Sequence, residues 1–153
     1  MSRPPMHPLL KLLIVAAVLL GIYSGLMFMV AYVRFYDIKG KMEEAARNSL
    51  AESDTSLAVK LAETALDDKL PIAGDYFYQV RDDQGKVFVL RPETEQQQQE
   101  YLQLAVRYFM QNMQRGSGGF TISLAYDQEI YFPFNVYKHT VKFRHTEVYQ
   151  QPR

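Results

Sequence analysis

The fold class predicted by this sequence is α+β: an N-terminal transmembrane helix and an amphipathic helix, then a small antiparallel sheet with one packed helix. Three observations predict it. Residues 12–33 carry no charge, unlike any comparable stretch later in the chain. Residues 94–113 place apolar side chains at helical spacing. Residues 75–91 and 120–149 alternate apolar and polar positions around turn-forming residues, the period of strands half-buried on a core.

The chain of 153 residues is long enough for one domain and an appendage. Its 17 basic and 17 acidic residues cancel, which argues against nucleic acid as a partner, because phosphate binding needs a concentrated basic surface. Cysteine is absent, which removes disulfides, thiolate catalysis and cysteine-based zinc sites together. The organisation expected is a short segment over 1–11, the transmembrane helix over 12–33, an amphipathic stalk helix over 34–70 and a small α+β domain over 71–153.

Leu12 to Val33 is 22 residues. At about 1.5 Å per residue such a helix spans roughly 33 Å, enough for a hydrocarbon core of about 30 Å. Lys11 and Arg34 bracket it, and Tyr32, Phe35 and Tyr36 form an aromatic belt at its far end. The run is longer than a signal-peptide apolar region, and Val30-Ala31-Tyr32 makes a poor cleavage site. With no Asp, Glu, His, Lys or Arg inside it, the span is not read as an ion path. Ala17, Gly21 and Gly25 recur every four residues, so a second helix can approach closely along that row. This reads as homodimerisation or docking on another single-pass protein, or else as the ordinary small-residue content of a membrane helix. The leading segment carries Arg3 and Lys11, the trailing flank Arg34, Lys39, Lys41 and Arg47. The flank favours a cytoplasmic domain, but long tails cross regardless of charge, and the domain is expected outside the cytoplasm.

Beyond the span, Met42, Ala46, Ser49, Ser53, Leu57, Leu61 and Ala65 recur at three or four residues, a stripe narrow enough for a stalk or packing surface. Ser53-Asp54-Thr55 offers a fresh N-cap that would divide this stretch into two helices. Pro71 and Gly74 end the pattern, and residues 75–91 read as a hairpin turning at Asp82-Asp83-Gln84-Gly85. Thr94 with Gln97 matches a capping box for a helix whose Tyr101, Leu104, Ala105, Tyr108, Phe109 and Met113 share one face, expected to pack on the sheet. Gly116-Ser117-Gly118-Gly119 reads as a flexible connector. Phe120, Ile122, Leu124 and Tyr126 then alternate on one strand; on the last, Tyr137, Val141, Phe143 and Tyr149 face inward while Lys138, Thr140, Lys142 and Arg144 face outward. That basic row suits an acidic partner, lipid headgroups or plain solvent.

The aromatics Tyr131, Phe132 and Phe134 surround Pro133 between the two strands, a candidate contact for a protein or membrane partner, or else packing beneath the domain. Asp67, Asp68, Asp82 and Asp83 fit a helix end and a turn, without the spacing of a calcium loop. His139 and His145 are six residues apart on one strand face, about 20 Å, too far to share a metal. No nucleophile, metal-ligand or phosphate-loop pattern occurs. A non-enzymatic protein is therefore expected, with no catalytic residues, cofactor or metal.

Two stretches resemble the TadE-like and pilin-like single-pass membrane proteins of bacterial pilus and secretion systems: KMEEAARNSLAESD just past the span, and the closing FTISLAYDQEIYFPFNVYKHTVKFRHTEV. The segment His7-Pro8-Leu9-Leu10-Lys11 lacks the glycine and acidic residue of a processed prepilin, so no functional residue carries over. The order helix-strand-strand-helix-strand-strand is similar to the ferredoxin-like periplasmic domains of secretion and pilus assembly platforms. What the resemblance implies is a structural or assembly component in the bacterial inner membrane. It would meet the lipid bilayer and either a second copy or other single-pass assembly proteins. A membrane-tethered module binding a ligand or cell-envelope component is the alternative.

Overall fold

A computed structural model describes residues 8–72, 79–81, 87–89, 93–117, 119–133 and 137–150. The first helix, α1, runs Pro8–Asn48, 41 residues and about 62 Å, straight through the expected end of the span at Val33. Nothing in the local sequence stops it there, since Arg34 to Asp37 includes neither proline nor glycine. Its two halves differ in what covers them. From Leu9 to Val33 its large apolar side chains are mostly exposed, whereas Ala31, Ile38, Met42, Ala45, Ala46 and Ser49 are buried.

Phe28, Ala31, Phe35, Ile38, Met42, Ala45 and Ser49 alternate steps of three and four, so they form one seam along the helix. The stripe read as a stalk or packing surface divides here, Met42, Ala46 and Ser49 being buried along this seam and Leu57, Leu61 and Ala65 on the helix that follows, so that the seam is one wall of the core. Its alanines let backbones approach closely, and larger residues opposite, among them Leu57, Leu61, Phe120, Leu124 and Phe143, supply the bulk.

The second helix, α2, spans Asp54–Asp67, and Ser53 is its N-cap, accepting a hydrogen bond from the Ser56 amide at 3.2 Å. It ends in a Schellman closure: the Leu70 amide donates to Ala65 and the Lys69 amide to Leu66, with Lys69 in the left-handed region at φ 53°. Short strands β1 (Gln79–Arg81) and β2 (Val87–Val89) pair antiparallel, as the hairpin reading expects. Their turn residues Asp82, Asp83 and Gly85 lie outside the described residues.

The third helix, α3, spans Glu95–Gln111. Thr94 accepts from the Gln97 amide at 3.2 Å, and the Gln97 side chain accepts from the Glu93 amide at 2.9 Å, a capping box displaced by one residue at its return bond. It packs chiefly on α2, not on the sheet. An apolar stripe specifies only that a helix must be covered; α2, with Leu57, Ala58, Leu61, Ala62 and Ala65 all buried, is apolar enough to be covered on two sides.

Three strands follow: β3 (Met113–Gly116), β4 (Gly119–Tyr131) and β5 (Lys138–Gln150), antiparallel in the order β3-β4-β5. The glycine-rich connector is therefore a tight turn between β3 and β4, with Gly116 opposite Gly119. Gly119 has φ +143°, and a Cβ there would stand 2.1 Å from the Tyr149 carbonyl oxygen, so only glycine fits. Two sheets are formed by the described strands, and their pairings do not show a ferredoxin-like arrangement.

Phe120, Ile122, Leu124 and Tyr126 are buried on the inner face of β4 as their alternation predicts, with Phe143 opposite Tyr126 on β5. The β4–β5 ladder lies against the lower half of α1. Phe28 to Ser49 rises about 32 Å along a helix, and Phe120 to Ile130 about 33 Å along a strand. Both ends are tied. Arg115 donates from Nε to Asp54 at 3.1 Å and from its guanidinium to the Ser49 and Glu52 carbonyls, while Phe132 meets Phe28 with ring centroids 6.3 Å apart.

Candidate functional site

The small-residue row of α1 is bare. Ala17, Gly21 and Gly25 are exposed, and a Cβ built on either glycine meets nothing within 4 Å. Neighbouring Ser24 satisfies its hydroxyl within the helix, donating to the Leu20 carbonyl at 2.8 Å. At about 100° per residue, Ala17 falls on the same side of α1 as Phe35, while Gly25 is rotated about 80° from it. The row therefore winds from the domain's side of the helix towards its flank, and its lower end emerges beside the β4–β5 turn.

That turn carries the second group of expected contacts. Phe132 sits between Phe28 of α1, edge-on at 6.3 Å between centroids, and Tyr137, tilted at 5.5 Å, and its amide donates to the Tyr137 carbonyl at 3.0 Å. His139 lies against the same Phe28 ring at 5.7 Å. Tyr131 is half-buried and its hydroxyl donates to Glu129, whose carboxylate also accepts from Lys138 at 2.9 Å. Phe134 lies outside the described residues. The aromatic loop thus serves in part as packing against α1, and Tyr137, 59% exposed, is left facing outward.

The outward basic row of β5 is partly neutralised within the sheet: Lys138 pairs with Glu129, and Arg144 with Asp127 at 2.6 Å. A single strand shows its cations in sequence but not the acids that pairing with β4 brings beside them. His139 and His145 stay apart on the inner side of β5, His145 lying 3.2 Å from Glu147. Among the described residues no cluster of three metal-ligating side chains occurs.

One grouping escaped sequence reading. Asp68, expected simply to end a helix, is the C-cap of α2 and lies next to Asp37 of α1, with Arg34 and Tyr126 within electrostatic reach. Burial, then the charge of Asp37 and a hydrogen bond shared with it, outweigh Arg34 and raise the Asp68 carboxyl from 3.8 to about 6. Burial also pushes the Tyr126 phenol up, and the charge of Asp68 adds to that. Its hydroxyl is buried without a hydrogen-bond partner among the described residues. Asp37 and Asp68 are 31 residues apart, so only the α1–α2 turn could reveal the pair.

Tyr108 was placed on the apolar face of α3, but its hydroxyl has a polar task. It accepts from the Ala125 amide at 2.9 Å and donates to the Ala125 carbonyl at 3.0 Å, standing in for a strand where β3 ends. Burial raises its phenol pKa.

Compared with protein families, curated proteins and solved structures, the chain matches none. The functional reading therefore rests on the chain's own geometry: a helix long and apolar enough to span a membrane, near the N-terminus, with a small domain built on its lower half.

Proposed function

We propose that this protein is a single-pass, non-enzymatic component of a pilus-like or secretion assembly in the bacterial inner membrane, acting through protein–protein contacts, with its domain outside the cytoplasm. The observation that carries the reading is the division of α1. Its lower half is the spine of the domain, while its upper half presents an unshielded apolar surface with an open small-residue row. In hydrocarbon, helices associate by close packing, and a row of small residues provides the surface for it. A rigid continuation of the same helix into the domain core then transmits whatever position the membrane contact imposes.

The test is a double substitution, Gly21→Ile with Gly25→Ile, in the full chain. Both side chains point into open space within the chain, so the fold is expected to survive. Cross-linking in membranes and the size of the detergent-extracted complex should both fall. If neither changes, the row is not a contact and the assembly reading loses its support.

A further inference from the structure

The β4–β5 turn is pinned to a definite height on α1. Phe132 and His139 both lie against Phe28, which is five residues inside the uncharged run that ends at Val33. At and beyond that height Met29 and Val33 remain exposed, and Val30 and Tyr32 stay partly open although Val30 borders Gln128 to Tyr131 and the Tyr32 ring meets Phe143 at 5.3 Å. Apolar side chains left open there require lipid, and what stands beside them must share it. Taking Val33 as the edge of the hydrocarbon puts Phe28 about 8 Å inside it. Taking instead residues 8–27, about 30 Å long, as the whole span puts Phe28 at the boundary, with Tyr23 and Met27 bordering Gln128 to Tyr131 just inside it. The first placement sets the Phe28 contact just within the hydrocarbon and the second at its edge, so both bring the turn against lipid.

Its chemistry suits that position. Tyr131, Phe132, Pro133 and Tyr137 supply rings and apolar surface, and tyrosine is favoured at headgroup level because its body is apolar and its hydroxyl polar. The charges at that height are matched, Glu129 taking both Lys138 and the Tyr131 hydroxyl. We propose that the tip of the β4–β5 hairpin is a second membrane contact, a surface of Tyr131, Phe132 and Tyr137 seated in the interface of the bilayer that α1 spans. The proposal rests on reading α1 as a membrane span. It gives the domain two attachments to one membrane, which would fix its tilt and its rotation about the helix.

The chain contains no tryptophan, so one introduced residue reports alone. Tyr137→Trp, Val148→Trp and Leu13→Trp each place the probe on an exposed side chain of the full chain. Val148 lies on β5 about 36 Å from Tyr137, which immediately precedes that strand. The proteins are reconstituted in phosphatidylcholine vesicles with or without lipid brominated near the headgroup end of its chains. Tyr137→Trp should emit at shorter wavelength than Val148→Trp and lose intensity to the brominated lipid, while Val148→Trp keeps its intensity. A Tyr137→Trp signal that bromine does not quench, with Leu13→Trp quenched by lipid brominated deeper, overturns the hairpin contact and leaves the anchor standing. An unquenched Leu13→Trp removes the anchor and the hairpin contact together. Short-wavelength emission from Tyr137→Trp without quenching means that protein covers the tip, which also overturns the lipid contact.

Discussion

Asp68 shows how one side chain acquires a property its neighbours in sequence do not predict. Its carboxyl is raised to about 6 because folding buries it and brings Asp37 beside it. Between about pH 4 and pH 6 the folded protein then binds more protons than the unfolded chain, so stability from this group is full below about pH 4 and is lost as pH rises through 6. Solvent still reaches Asp68 and screens the effect. Asp68→Asn keeps the shape and removes the titration. The variant should melt higher than the parent at neutral pH in detergent, with a flatter melting profile across that window. An unchanged profile would mean that folding does not raise the Asp68 carboxyl.

At the scale of elements, the turn between β3 and β4 is where local chemistry has the least freedom. Gly119 combines a positive φ with a near contact to the Tyr149 carbonyl of β5, so any side chain must displace one strand. Gly119→Ala should cost about 2–3 kcal/mol, read as a loss of urea stability in detergent. Gly116→Ala, across the same turn and in open space, is the matched control. The same hairpin sets Arg115 against the α1–α2 turn, where its guanidinium holds Ser49, Glu52 and Asp54 and lies 5.4 Å over the Phe120 ring. Small helices and short strands are thereby locked at the end of the domain remote from Phe28.

For the whole molecule, a helix long and apolar enough to span a membrane raises the question of which side would hold the domain. Ser117 is exposed in the β3–β4 turn, about 30 Å from the level of Phe28, and the chain has no cysteine. Ser117→Cys therefore gives a single accessible thiol. In intact cells a membrane-impermeant maleimide should label it without lysis. Labelling only after lysis would place the domain in the cytoplasm, as the basic flank Arg34, Lys39, Lys41 and Arg47 suggests, and the pilus-like reading would go with it.

The sequence by itself determined what depends on neighbours along the chain. The uncharged run, the caps at Ser53 and Thr94, and the alternation through Phe120 to Tyr126 follow from local spacing and backbone chemistry, and they hold in the structure. The tertiary structure alone decided what those elements touch. Burial is non-directional, so a stripe demands cover without naming it: α3 lies on α2, and the stripe read as a stalk or packing surface packs as part of the core. Strand register, which no single strand encodes, placed Glu129 and Asp127 beside the basic row and carried Phe132 to Phe28.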